Sequence, residues 1–194
     1  MFPFLAIFIT FCLVLTYYIK KSDASQQKVE EEFWEKERLA NTIRKQDISK
    51  LDYITIPLEK IPEKLHTSTE KKLFELAEKP MLNLTGISNT DLKLQYGTAN
   101  ITVLSEYDTN FTDFVALLPE YTQELLDANQ QQTAQMLLEF AVDCNADSRK
   151  IYHQLAVLYQ ENNCPEKIQQ LILKSENLPE LTKKSIQKDL SSIN

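Results

Sequence analysis

The chain has 194 residues with 28 acidic and 21 basic side chains, so its formal net charge at pH 7 is −7. This acidic balance argues against nucleic acid as a partner and against a surface that adheres to anionic lipid. Only two residues are glycine, whereas tight hairpins and phosphate-binding loops use glycine for positive φ. The composition therefore argues against a β-rich fold and a glycine-rich nucleotide loop, and it favours an all-α fold.

The chain begins with an uncharged apolar run. Residues 2–19 contain no charged side chain, and Lys20 and Lys21 follow at once. As a helix, this run is about 27 Å long at ~1.5 Å per residue, close to the ~30 Å hydrocarbon core of a bilayer. The sequence therefore predicts a transmembrane anchor over residues 1–22, with residues 2–19 in contact with lipid.

Two other interpretations of this run are a cleaved signal peptide and a buried core helix. A signal peptide has a basic start and an apolar stretch of only ~7–15 residues, but here no lysine or arginine precedes the run. Nothing else in the chain is apolar enough to surround a core helix. Because basic residues flanking a span stay in the cytoplasm, Lys20 and Lys21 predict a single-pass plasma-membrane protein with its N-terminus outside and its soluble domain in the cytoplasm.

Two segments connect the anchor to the rest of the chain. Residues 23–46 are predicted to form one amphipathic juxtamembrane helix, because apolar residues recur at three-to-four spacing and acidic residues cover the other faces. A short coiled coil is an alternative for this helix. Residues 47–66 contain Pro57 and Pro62, which interrupt helices, and are predicted to form an ordered connector.

Residues 67–194 are predicted to form a helical domain. Ser68 or Thr69 is the expected N-cap of a helix through Glu78, and Asn89 is the expected N-cap of a short helix ending near Gly97. Residues 98–112 fit either a strand or a helix, and the absence of an obvious partner strand favours a helix.

The apolar pattern of the chain from residue 115 onward occurs twice. When the sequence is shifted so that Leu137 falls on Leu171, the apolar positions of the first copy fall on those of the second copy. The pattern is clearest in one helix of each copy. The first helix of the second copy has Tyr152, Leu155, Ala156 and Tyr159, and the second helix of the first copy has Ala134, Leu138 and Ala141. Small residues let paired helices approach closely, and bulky residues fill the space between neighbours. Asn162, Asn163 and Cys164 form the predicted turn, and Pro165 suits the first helical position.

This pattern resembles the tetratricopeptide repeat, a helix–turn–helix unit of about 34 residues. The length of that unit equals the shift that brings Leu137 onto Leu171. The resemblance covers residues 115–182 as two repeats, with Thr122 and Ala156 where that family usually has glycine. Pro119 departs from the pattern unless a helix begins there. A generic antiparallel helical bundle is the alternative, and residues after 180 would form a capping helix.

The resemblance implies a protein-binding surface, since the first helix of each pair lines the concave face in that family. Position by position, it implies partner-contacting side chains at Gln123, Lys150, His153, Gln154 and Gln160. Lys150 would pair with an acidic group of the ligand.

No arrangement of residues in the sequence indicates catalysis, a cofactor or a metal ion. His66 and His153 are the only histidines, and Cys144 and Cys164 lie too far apart in sequence for a typical zinc site. Three N-x-[ST] triplets, at Asn83, Asn100 and Asn110, would be glycosylated only if the domain lay in a secretory compartment.

Three functions are consistent with these features. The first is a membrane-tethered adaptor or scaffold that holds a protein or peptide partner and has no catalytic activity. The second is a structural component of envelope assembly, with residues 23–46 as a self-associating stalk. The third is an enzyme centred on a polar cluster of Asn89, Asp91, Lys93, Tyr96 and Asn100.

Overall fold

The computed structural model describes residues 2–62 and 64–193. Within these ranges the secondary structure is helical and includes no β-strand, which confirms the all-α prediction. The α-helices are α1 (Phe2–Thr42), α2 (Ser68–Ala77), α3 (Asn89–Tyr96), α4 (Ile101–Asp127), α5 (Gln131–Asp143), α6 (Arg149–Glu161), α7 (Pro165–Lys174) and α8 (Glu180–Ile193).

The chain divides into two compact units. The first comprises Met1–Asp47 and Ser88–Ile101, and the second comprises Ile48–Ile87 and Thr102–Asn194. The first unit therefore contains α1 and α3, and the second contains α2 and α5–α8 with nearly all of α4.

Helix α1 combines the predicted anchor and the predicted juxtamembrane helix in one continuous element. It is long and apolar enough to cross a membrane, and none of the residues whose burial the structure describes in its most apolar stretch is buried. The helix ends at Thr42, four residues before the predicted end at residue 46. The N–H of Gln46 bonds instead to the carbonyl oxygen of Tyr96 at 3.0 Å, so the chain after Thr42 pairs with the end of α3.

Helix α3 packs against the C-terminal part of α1. Lys36 of α1 bonds to Asp91 at 2.6 Å. Glu37 of α1 forms an ion pair with Lys93 and accepts a hydrogen bond from Thr90 at 2.7 Å. The Lys93 ammonium group and the Thr90 hydroxyl lower the pKa of Glu37. Charged side chains thus hold the two helices together.

The two ends of α3 differ in how well the sequence located them. The N-cap is Ser88 rather than the predicted Asn89, because the Ser88 hydroxyl accepts the N–H of Asp91 at 3.1 Å. The helix ends at Gly97 as predicted, with φ at 82°. A Cβ atom at Gly97 would lie 2.4 Å from the carbonyl oxygen of Arg44. Only glycine therefore fits this contact without displacing backbone.

In the second unit, side-chain oxygens form hydrogen bonds around the N-terminus of α2. Its N-cap is Thr67, not the predicted Ser68 or Thr69, and the Thr67 hydroxyl accepts the N–H of Glu70 at 3.1 Å. Thr69 is used elsewhere, since its hydroxyl donates to Glu124 of α4 at 2.7 Å.

The carboxylate of Glu70 is buried and accepts several hydrogen bonds. It accepts hydrogen bonds from the N–H groups of Leu65 at 3.0 Å and His66 at 2.8 Å, and from the Tyr121 hydroxyl at 3.0 Å. Burial raises the pKa of Glu70, but these three donors, with a smaller coulombic effect of His66, outweigh burial and hold the pKa below its usual value. The side chain therefore stays charged and ties α2 to α4.

The segment from residue 98 is helical, as the sequence favoured. A short 3₁₀ turn over Thr98–Asn100 leads into α4. Because α4 begins at Ile101, Pro119 lies inside a long helix and not at the start of a repeat. The buried side chains of α4 include Phe114, whose ring lies 6.1 Å from that of Phe140 on α5.

Helices α4 to α7 form two hairpins with equivalent turns. In the first turn, the N–H of Gln130 bonds to the carbonyl oxygen of Leu125 at 2.8 Å; in the second, the N–H of Cys164 bonds to that of Tyr159 at 2.9 Å. Asn129 and Asn163, which coincide under the sequence shift described above, have left-handed φ values of 61° and 55°. These bonds satisfy carbonyl groups at the helix ends. Pro165 occupies the start of α7 as predicted.

The asparagines of the three N-x-[ST] triplets bind backbone oxygens. In the second unit, Asn83 Nδ2 donates to the carbonyl oxygen of Cys144 at 2.8 Å, and Asn110 Nδ2 donates to that of Pro80 at 3.0 Å. In the first unit, Asn100 Nδ2 donates to the carbonyl oxygens of Gln46 and Tyr96. Asn100 and Asn110 are buried.

Candidate partner-binding groove

An open groove of about 810 Å³ lies among α4, α6 and α8 in the second unit. Its lining includes apolar, amide and charged side chains: Ala116, Pro119, Glu120, Gln123, Arg149, Lys150, His153, Gln154 and Asp189. Four of the five predicted contact residues lie together here. The fifth, Gln160, does not line the groove; its amide donates to the carbonyl oxygen of Ile193 at 2.9 Å.

The two glutamines of the lining have internal hydrogen bonds. Gln154 donates to the carbonyl oxygen of Pro119 at 3.0 Å and accepts from the Thr122 hydroxyl at 3.1 Å, so it joins α6 to α4. Gln123 is exposed and donates to Asp127 at 3.0 Å. Gln154 therefore holds the two walls of the groove together, and Gln123 lies on its open rim.

A carboxylate from α8 binds two basic side chains of α6. Asp189 accepts one hydrogen bond from Arg149 at 2.6 Å and contacts the His153 ring nitrogen at 2.8 Å. The Arg149 guanidinium lowers the pKa of Asp189, burial opposes this effect, and His153 adds to it. This cluster attaches the C-terminal helix to the groove and neutralises part of its positive charge.

The charges that remain for a ligand lie on opposite walls. Lys150 is exposed on α6 and has neither a hydrogen bond nor an ion pair with any residue that the structure describes. Glu120 on α4 is also exposed, and its carboxylate lies 3.4 Å from the Thr69 hydroxyl, which donates its proton to Glu124. Ala116 and Pro119 add apolar surface. The groove can therefore offer one free ammonium group beside apolar contacts to a ligand.

Arg149 and Asp189 were not predicted from the sequence. They lie 40 residues apart and meet only because α8 packs against α6. A local pattern does not contain that pairing. Lys150 and His153 were predicted from a resemblance that involves positions within one helix, and the structure places both in the groove lining.

The other titratable groups that the structure describes include the thiol of Cys144 and a polar cluster in the first unit. Among residues 2–62 and 64–193, no three His, Cys, Asp or Glu side chains are arranged to hold a metal ion. Burial, with a smaller effect of Asp143, raises the pKa of Cys144 to about 11, so its thiol is protonated at neutral pH. In the polar cluster of the first unit, Asp91 and Lys93 are occupied by ion pairs with α1.

Comparison of the chain with models of protein families, with characterised proteins and with solved structures finds no match.

Proposed function

We propose that the protein is a membrane-tethered adaptor that holds a protein or peptide partner in the groove among α4, α6 and α8. The observation that carries the proposal is the grouping of Gln123, Lys150, His153 and Gln154 around one open groove. Ligand sites are concave and combine apolar surface with a few oriented polar groups. This groove is concave and combines apolar surface with these four polar side chains.

The resemblance to tetratricopeptide repeats supports the same function. The hairpins α4–α5 and α6–α7 have equivalent turns at Asn129 and Asn163, a geometry that Asn145 repeats between α5 and α6, and α8 follows them as a terminal helix. We take them as two tetratricopeptide-like repeats with a cap. In this arrangement the groove lies where that family binds its partners, and Lys150 pairs with an acidic group of the ligand.

The proposed location is the plasma membrane, with the N-terminus outside and the groove in the cytoplasm. It is supported by the length and apolar character of α1 and by Lys20 and Lys21, which directly follow the apolar run. We propose no catalytic role for the groove, because its polar groups position helices or remain available for contact.

A photo-cross-linking experiment tests the adaptor function. A photoreactive amino acid placed at Gln123 in the full-length protein, in cells that produce it, should cross-link a discrete partner. The same amino acid at Lys72, an exposed position on α2 outside the groove lining, should not. The Lys150→Glu, His153→Ala double variant should lose the cross-link, while Lys72→Glu should keep it.

Helical content and thermal unfolding of each variant show whether the fold persists. Loss of the cross-link with an intact fold supports the groove as the partner site. Equal cross-linking from positions 123 and 72, or an unchanged product in the double variant, would contradict it.

A further inference from the structure

A second surface lies on α1, in the first unit and independent of the groove. Gln26, Val29 and Phe33 follow one another along one face of the helix, and we call this face the open stripe. The side chains of Val29 and Phe33 are 65% and 51% exposed. The open stripe and Glu30 border a concave surface of about 400 Å³. Large apolar side chains in such a concavity indicate a contact surface.

The open stripe continues directly into the surface that binds α3. At ~100° per residue, Val29, Phe33 and Ala40 lie within about 40° of one another around the helix. Ala40 is fully buried, and the neighbouring Lys36 and Glu37 form ion pairs with α3. The same face of α1 is therefore covered by a helix at Ala40 and uncovered about two to three turns earlier, at Phe33 and Val29.

Lipid does not account for the open stripe if α1 crosses a bilayer at residues 2–19. Val29 and Phe33 follow Ile19 by ten and fourteen residues, which places them about 15 and 21 Å beyond the apolar run. The headgroup region extends only about 5–8 Å beyond the hydrocarbon core on each side. The open stripe would therefore lie in water above the membrane surface.

The charges beside the open stripe select its partner. Glu30 lies on one flank and Glu32 on the other, because they are rotated about +100° and −60° from Val29. Glu32 also forms an exposed ion pair with Lys28 at 3.9 Å, but residues 28–37 carry five glutamates against two lysines. A parallel second copy would therefore bring two acidic segments together, which is unfavourable. A helix with basic flanks would meet the opposite charge there, as Lys93 of α3 already does with Glu37.

We propose that the open stripe of α1 binds an amphipathic helix of another protein, with an apolar face flanked by lysine or arginine. This helix would extend the packing that α3 begins on the same face. Apolar contacts with Val29 and Phe33 provide affinity, and pairing with Glu30 and Glu32 determines which helices bind.

Trp34 provides a direct assay, because it is the single tryptophan of the chain and its ring lies 5.3 Å from that of Phe33. The full-length protein in phosphatidylcholine nanodiscs is titrated with a synthetic, tryptophan-free amphipathic helical peptide whose leucine face is flanked by lysines. We expect a saturable blue shift of the tryptophan emission. A matched peptide with glutamate flanks should bind at least about tenfold more weakly, and added salt should weaken binding of the lysine peptide.

Two variants separate the open stripe from the rest of the helix. Phe33→Glu should abolish the shift. Leu39→Glu changes an equally exposed apolar residue on another face of α1 and should leave the shift unchanged. Lys150→Glu, in the other unit, should also have no effect, so failure of the groove and failure of the open stripe are distinguishable.

Three results would overturn the proposal. One is equal binding of the two peptides, or binding that Phe33→Glu does not reduce. Another is a concentration-dependent dimer that Phe33→Glu dissociates, because the occupant would then be a second copy. The dimer is measured by mixing two differently labelled samples of the protein in detergent and reconstituting them together into nanodiscs. The third is a tryptophan shift caused by reconstitution into the lipid bilayer alone, which would assign the open stripe to lipid.

Discussion

Replacement of Gly97 by alanine tests whether the close approach of α3 to the end of α1 stabilises the first unit. The backbone at Gly97 has φ at 82°, and an added Cβ would lie 2.4 Å from the carbonyl oxygen of Arg44. Because the obstructing atom belongs to the backbone, the two segments must separate. Gly86 is a matched control, since its φ is 85° and a Cβ there would meet nothing within 4 Å.

The expected magnitude follows from this comparison. Alanine at either position has an unfavourable positive φ, which costs roughly 1–2 kcal/mol. At Gly97, ψ is 149°, close to a backbone region that is essentially restricted to glycine, so the strain there lies at the upper end or above. At Gly97, separation of the segments also weakens the hydrogen bonds of Gln46 N–H to Tyr96 and of Asn100 to Gln46. At roughly 1 kcal/mol for each bond, and with the packing cost of the added methyl group, we expect Gly97→Ala to cost about 2–3 kcal/mol more than Gly86→Ala.

Hydrogen exchange measured by mass spectrometry provides the assay. An additional 2–3 kcal/mol corresponds to roughly 30- to 150-fold faster exchange of the α3 amides, if exchange follows local opening. Peptides covering residues 88–101 should lose protection in Gly97→Ala, and peptides covering α6 should not. Equal losses in the two alanine variants would refute the steric explanation, because the shared backbone strain would then account for the whole effect.

Three further substitutions test the second unit. Glu70→Gln should destabilise the second unit at pH 7 by about 1–3 kcal/mol. Because the pKa of Glu70 is lowered on folding, the stability advantage of the wild-type protein should shrink as pH falls through and below about 4. A stability difference that stays constant in chemical denaturation from pH 7 to pH 3 would contradict this explanation. Asn163→Ala should cost about 1 kcal/mol, whereas Asn163→Gly should be nearly neutral, since φ at this position is 55°; equal melting temperatures would exclude the left-handed turn as the reason. Asp189→Asn should lower stability by up to about 1 kcal/mol at low salt, because it removes the ion pair with Arg149, and this loss should shrink in 1 M NaCl. A loss that does not depend on salt would mean that packing, and not charge, holds α8 against α6.

The sequence predicted those features that depend on neighbouring residues. The α6–α7 turn was found because Asn163 tolerates a left-handed backbone and Pro165 suits a first helical position. The end of α3 was located because Gly97 permits positive φ. Each of these preferences acts within a few residues, so a single sequence contains the information.

The features that the sequence missed depend on distant partners. Thr67, not Ser68 or Thr69, caps α2, and the hydroxyl of Thr69 donates to Glu124, 55 residues away. Helix α1 ends at Thr42 because residues after it pair with the end of α3. In the groove, the position of Asp189 depends on how α8 packs against α6. Cap choices and ion pairs of this kind are decided by tertiary contacts, which override local propensity.

The bonds made by Asn100 and Asn110 place sugar attachment and folding in competition. Both amide nitrogens donate to backbone oxygens inside the protein, and each nitrogen is the atom to which an oligosaccharide would be joined. A chain delivered to a secretory lumen could accept sugar at these positions only before the surrounding residues close. Once sugar was attached, those residues could no longer close around the amide. Occupancy at Asn100 and Asn110 would then measure how fast each unit folds, with unmodified chains being those that folded first.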